Sequence, residues 1–217
     1  KLWGKENTIS CEDLIVVSHI SKQSTDIAQG VDLDTWGDQG IMFGMAVNAP
    51  ERNYMPLDIY MARKIGKHLF DIKIAGLDIK TQVVVANDKI TDVVVAIPML
   101  DRKHFKYDIA NAVMYCCDGE RKINLVINGT GRFVKHASMG DCGTTGRKLA
   151  VDFYGGNCNV GGGSPWTKDA SKADLTLNLY ARHKSIEAIK KHGLEYCKCG
   201  ISCCIGKREI DVCLYDE

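Results

Sequence analysis

Between Asn128 and Asp174 the chain reads N-G-T-G-R-F-V, then M-G-D-C-G-T-T-G-R-K, then D-F-Y-G-G, then G-G-G-S-P-W-T-K-D-A-S-K-A-D. Glycine-rich turns alternate there with Arg132, Arg147, Lys148, Lys168 and Lys172, and with Asp141, Asp152 and Asp174. Glycine lets backbone N–H groups approach an anion closely. Lysine supplies a point charge and arginine a fixed fork of donors. Carboxylates set among such cations suggest a divalent metal bridging phosphate oxygens. Hairpin turns with solvated charges would explain any one of these turns, but less readily several in series.

The rest of the composition narrows the classes. The 217 residues suffice for one or two domains with a sizeable core. A net charge of +1 gives no global field favouring nucleic acid or an anionic membrane. No apolar run approaches the roughly 18 residues of a membrane span, and no signal-peptide pattern follows Lys1. Ten cysteines at irregular spacing, in an otherwise cytosolic composition, read as reduced thiols in a cytoplasmic protein.

Along the chain, the run Leu14-Ile15-Val16-Val17 predicts a buried strand. Ser21–Gly37 is polar and aperiodic, which predicts a long functional or mobile loop. I-M-F-G-M-A-V-N from Ile41 predicts a buried strand with Gly44 at a close backbone contact. Pro56 opens a helix carrying Ile59, Ala62, Ile65 and Leu69 at helical spacing. Strands over Val83–Ala86 and Ile90–Ile97 flank the turn Asn87-Asp88-Lys89. A helix follows over Ile109–Cys116, and a strand over Ile123–Ile127 feeds the glycine-rich stretch. Lys172–His192 predicts a helix with Leu175, Leu179, Ile186 and Ile189 on one side and Gly193 as its C-cap. These elements sum to an α+β architecture of sheets covered by helices.

Three patterns suggest chemistry of other kinds. Cys197, Cys199, Cys203 and Cys204 invite zinc, but Cys197, Cys199, Ile201, Cys203 and Ile205 alternate at period two, as one face of a strand does. Cys142 has only His136 near it in sequence, a weak basis for a nucleophile. Gly162–Asp169 approaches a P-loop, but Thr167 stands in place of the second glycine and Asp169 in place of the Ser/Thr.

Seven segments, in order, carry a resemblance. They are K-Q-S-T-D-I-A-Q-G-V-D, G-D-Q-G-I-M-F-G, D-I-K-T-Q-V, I-N-G-T-G-R-F-V, M-G-D-C-G-T-T-G-R-K, V-D-F-Y-G-G and G-G-G-S-P-W-T-K-D-A-S-K-A-D, between Lys22 and Asp174. Together they resemble the methionine adenosyltransferases, or S-adenosylmethionine synthetases. The resemblance implies an α+β fold of similar sheet-and-helix units with an interleaved chain, here incomplete, so that residues 1–217 form one body rather than separable pieces. It implies ATP and methionine as substrates, Mg²⁺ and K⁺ as cofactors, and a homodimer or larger assembly with shared active sites. Gln23 and Asp38 are placed like the methionine-binding pair, and Phe133 like the ring that stacks on adenine. Lys80 matches a lysine near the ribose C5′ and the phosphates, Arg147, Lys148, Lys168 and Lys172 match triphosphate ligands, and Asp78 goes with the acidic residues of the substrate site. Asp141 and Asp174 are placed like the carboxylates nearest metal or substrate, and Gln23–Trp36 like the gate over the site.

The sequence also departs from the family. It has no match to the Gly-His-Pro-Asp-Lys segment that brings a histidine and a magnesium-binding aspartate, nor to the two glutamates after it, one of them associated with potassium. The family's last third has no counterpart after Glu217, the gate is short, and Thr167 and Leu175 replace a glycine and an arginine. The alternative to an adenosyltransferase is a related non-catalytic subunit that keeps affinity for nucleotide or a partner.

Overall fold

The structure is a computed structural model that describes residues 11–22, 24–32, 34–99, 105–119 and 122–216. The chain divides into two compact units. The first takes residues up to Val16 and Leu57–Cys142, and the second takes Val17–Pro56 and Gly143–Glu217.

The first unit holds a three-stranded sheet of β2 (Lys80–Ala86), β3 (Lys89–Ala96) and β4 (Asn124–Ile127), with β3 central. β2 and β3 form an antiparallel hairpin, while β3 and β4 run parallel. The hairpin turn works because Asn87 and Asp88 both adopt the left-handed backbone (φ 51° and 60°) that a tight two-residue connection needs. The parallel pair needs a crossover, and α3 (Phe105–Cys116) lies in it. α2 (Leu57–Asp71) packs on β2 and on α3. Ile65, Leu69, Val93, Val95, Ile97, Ile109 and Val113 close an apolar core.

The second unit is built on β1 (Gly40–Val47), β5 (Tyr196–Cys203) and β6 (Ile210–Tyr215), all antiparallel with β5 central. The long helix α5 (Ala173–His192) covers β1 and β5. Its end is set by Gly193 in the left-handed conformation (φ 66°), whose N–H donates to Ile189 O. Cys197, Cys199, Ile201 and Cys203 do line one face of β5, where they are buried as small apolar residues. Ile205, expected to continue that face, lies beyond the strand and is exposed.

Three expectations are corrected. Leu14–Val17 forms no strand and its side chains are 56–93 % exposed. An apolar run becomes a strand only where a neighbour takes its N–H groups, and neither sheet includes this one. Ser21–Gly37 is not all loop, because α1 (Thr25–Asp32) forms inside it, started by Ser24, which accepts N–H groups of Asp26 on its hydroxyl and Ala28 on its carbonyl. The buried side of α5 is Ala173, Leu177, Asn178, Ala181, Ser185, Ala188 and Ile189, and Leu179 is exposed. Small residues hold the middle of that face because the helix backbone at Ala181–Arg182 lies against Gly44 of β1, while Leu177 and Ile189 are buried towards its two ends.

Candidate functional site

In the second unit the triple glycine 161–163 runs between β1 and the start of α5. Its conformation follows from what surrounds each glycine. A Cβ on Gly161 would lie 2.9 Å from Ile41 C, and one on Gly162 (φ 73°) would lie 2.7 Å from Asp174 Oδ1. At Gly163 a Cβ would sit 3.1 Å from both Asp174 Oδ2 and Lys168 Nζ. At Gly161 and Gly162 backbone alone can pass. The Gly163 N–H donates to Asp174 Oδ1 at 2.7 Å, and the Lys168 ammonium donates to Asp174 Oδ2.

Asp174 belongs to the first turn of α5, with Lys172 as the N-cap residue, and the positive end of the helix dipole adds to the field of the two lysines. Ahead of it, Asp169 accepts the N–H and the hydroxyl of Ser171, which shapes the turn between Lys168 and Lys172. Gly146 (φ 88°) packs directly on Ser164, so the loop carrying Arg147 and Lys148 lies beside the one that leads to Lys168. Both of these cations are exposed, and Lys148 also serves as N-cap residue of the single-turn helix α4 (Leu149–Asp152). Arg147, Lys148, Lys168 and Lys172 therefore belong to one unit, with a direct ion pair at Lys168–Asp174.

Asp38 precedes β1, where its carboxylate accepts the Gln39 N–H at 2.8 Å and its carbonyl accepts the Cys203 thiol at 3.6 Å. Burial pushes the Cys203 thiol up, with smaller contributions from the charges of Asp38 and Asp174. Burial also raises the Asp174 carboxyl, but hydrogen bonds from Lys168 and the Gly163 N–H, with the Lys168 charge, outweigh it and hold the carboxyl below its ordinary 3.8. A lowered folded value stabilises the protein above pH about 4, and that stabilisation is lost as pH falls through the folded value. Asp174→Asn is therefore expected to flatten the acid limb of stability below pH about 4, read as Tm against pH. An acid limb identical to that of the unmutated protein would show that the Lys168–Asp174 pair is not formed in solution.

The first unit holds Asp78, Lys80, Phe133 and Asp141. Asp78 has a left-handed backbone (φ 61°), and its carboxylate stands 3.8 Å from Lys80 Nζ at the head of β2. Phe133 is half-buried, and its carbonyl accepts the Met99 N–H at 2.6 Å. Asp141 is exposed, and its own N–H donates to Ala137 O at 2.9 Å. Gln23 lies outside the described residues.

Three positioning residues gave no signal of that role in the sequence. Asn128 is buried and pairs both side-chain groups with Ile97, donating to its carbonyl (2.9 Å) and accepting its N–H (2.8 Å), which fixes where the first glycine turn leaves β4. His136 is buried against Gly76, where a Cβ would lie 2.8 Å from its Cε1, and Nδ1 bonds Val134 O at 2.8 Å. Asn178 is buried under the triple glycine. A lone Asn in a helix, or a His in a turn, looks the same in sequence whether its amide or ring is buried or solvated.

Among the described residues no three His, Cys, Asp or Glu side chains converge on one point, so no protein-only metal site is present there. The donor set fits a hard cation in another way, since Mg²⁺ is usually held by one or two carboxylates together with substrate phosphates and water. Asp174 is a carboxylate beside the Lys168 ammonium, and a metal there would compete for its oxygens with Lys168 and the Gly163 N–H. No helix among the described residues is long and apolar enough to cross a membrane.

Comparison with known proteins adds the following. Residues 34–133 match the family model of the S-adenosylmethionine synthetase central domain, and residues 136–214 match that of the C-terminal domain. An S-adenosylmethionine synthase of Solidesulfovibrio magneticus is 36% identical over 229 residues, covering 91% of this chain and 57% of its own length. One from Mesoplasma florum is 36% identical over 213 residues, covering 88% of this chain and 56% of its own length. The solved structure of an unusual S-adenosylmethionine synthetase from Campylobacter jejuni superposes with a TM-score of 0.83 at 27% identity, over 99% of this chain and 60% of that one. The chain thus spans a little over half the length of the curated relatives it matches.

Proposed function

Because the chain belongs to the S-adenosylmethionine synthetase family, we propose that it carries the triphosphate-binding part of a methionine adenosyltransferase. The reaction joins methionine to ATP. The methionine sulfur attacks the ribose C5′, the C5′–O bond breaks, and the whole triphosphate leaves with the electron pair. Water then cleaves the triphosphate to phosphate and pyrophosphate. The observation that carries this reading is the Gly163–Lys168–Asp174 arrangement, in which an ammonium and a backbone N–H of the triple glycine meet on one carboxylate.

The thioether is already a nucleophile, so no side chain need be activated to attack. The barrier lies in the leaving group, whose negative charge grows in the transition state. Lys168, Lys172, Arg147 and Lys148 neutralise that charge, and Lys80 does so near C5′. Asp38, with Gln23, binds methionine, its carboxylate meeting the ammonium. Phe133 stacks on adenine, and Asp78 is a further substrate-binding carboxylate. Asp141 and Asp174 are the residues that would hold Mg²⁺, which when bound neutralises phosphate oxygens; no described residue is assigned to K⁺. Two chains form a homodimer with shared active sites, in the cytoplasm, and 1–217 acts as one interleaved body.

A non-hydrolysable ATP analogue with Mg²⁺ is expected to bind, and Lys168→Ala and Arg147→Ala each to weaken it by about tenfold, on the scale of a charged hydrogen bond. Calorimetry decides this, and unchanged affinity in both variants would remove the assignment. Phe133→Ala is expected to cost adenine recognition about 1–3 kcal/mol, the scale of a lost base–aromatic stack. ATP should weaken while bare tripolyphosphate does not; equal weakening of the two would make Phe133 a core residue.

A further inference from the structure

We propose that Asn178 is a positioning residue for the triphosphate site, setting the triple glycine and, through it, the Lys168–Asp174 pair; this rests on the function proposed above. Asn178 is 4 % exposed and lies one turn after Asp174 on α5. Its side chain makes three hydrogen bonds to three different segments. Oδ1 accepts the Phe43 N–H of β1 at 3.2 Å, while Nδ2 donates to Gly161 O at 3.2 Å and to Asp174 O at 2.7 Å. Both amide hydrogens and the carbonyl oxygen are used, so the pattern fixes the amide orientation.

The geometry forms a closed ring. The triple glycine is held at Gly161 by the Asn178 amide and at Gly163 by the Asp174 carboxylate, and the Asp174 carbonyl is held by the same Asn178 amide. Lys168 then docks on the remaining Asp174 oxygen. Asp174 thus presents one oxygen to the loop and one to the lysine only while Asn178 keeps loop and helix in register. Gly162 closes the remaining gap, since a Cβ there would lie 3.3 Å from Asn178 Nδ2. Asparagine is a poor residue for a helix interior and costly to bury unpaired. A side chain of similar size that does the same work needs two donors and one acceptor, which leucine lacks entirely and aspartate lacks on the donor side.

The test uses the full chain and inorganic tripolyphosphate with Mg²⁺ in calorimetry, with thermal unfolding in parallel so that binding is measured well below every transition. Lys168→Ala serves as the control for the site. Asn178→Leu keeps the bulk and removes every polar atom; Asn178→Asp keeps the acceptor to Phe43 and removes both donors. The expected result is a rise in Kd of about tenfold or more in both Asn178 variants, in protein that remains folded. If Lys168→Ala weakens binding but folded Asn178 variants bind like the unmutated chain, the proposal is overturned and the site stands. If both Asn178 variants fail to fold, Asn178 holds the fold together rather than the site, and the proposal is likewise overturned. If the unmutated chain does not bind, or Lys168→Ala changes nothing, the site itself is wrong and the proposal goes with it.

Discussion

Gly44→Ala is expected to lower the stability of the second unit by about 3 kcal/mol or more, at the upper end of what overpacking costs. Gly44 lies in the middle of β1, where α5 crosses the sheet. A single methyl there would fall on the Ala181–Arg182 peptide, 2.6 Å from Arg182 Cα, so it meets helix backbone rather than a side chain that can rotate away. The helix would have to lift off the strand. That move also breaks the Ser185 hydroxyl bond to Gly44 O (3.2 Å) and the Asn178 bond to Phe43 N–H (3.2 Å), both of which bind α5 to β1. Urea unfolding followed by a probe of the second unit gives the number. A loss below about 1 kcal/mol would mean that α5 can shift at small cost and that the close packing is not what holds it. The comparison variant is Gly119→Ala. No neighbour lies within 4 Å of it, and it carries only the penalty of its left-handed backbone (φ 75°), so it should cost much less.

The same contact explains what was and was not legible in the sequence. Gly44 was readable as a close approach because glycine inside an apolar strand has few other uses. The face of α5 that meets it was not, because the reading weighted leucine and isoleucine, whereas a close helix–strand contact selects Ala181, Ser185 and Ala188. The hairpin at Asn87-Asp88 and the cysteine face of β5 were legible because each is a local rule, of turn conformation or of period two. Leu14–Val17 failed because strand formation depends on a partner that no local pattern names. At the candidate site, the glycines and cations of Asn128–Asp174 suggest anion binding by residue type alone. Asn128, His136 and Asn178 do not, since their roles exist only once Ile97, Gly76 and Gly161 have been brought beside them.

The largest expected effect concerns sufficiency: residues 1–217 by themselves should form little or no S-adenosylmethionine. Expelling triphosphate demands charge compensation along its whole length. In the proposed site Lys168 and Lys172, with Arg147 and Lys148 on the adjoining loop, would supply one side of it. The carboxylates of this chain supply little of the metal-binding side, because no three acidic, His or Cys side chains converge among the described residues, and the one well-placed carboxylate, Asp174, is already engaged by Lys168 and Gly163. The histidine–aspartate segment that the family brings to this task has no match in the sequence. Loss of one positioned group in such a site commonly costs about 10²–10³ in rate, and more than one is lacking here. The measurement is mass-spectrometric detection of S-adenosylmethionine from ATP, methionine and Mg²⁺, first with these residues alone and then with a polypeptide that carries the lacking segment. Activity that appears only in the second arm fits residues that hold the triphosphate and need that segment for turnover. Robust turnover in the first would mean that other side chains of this sequence replace those ligands, and the division of labour between Lys168, Asp174 and the metal would have to be redrawn.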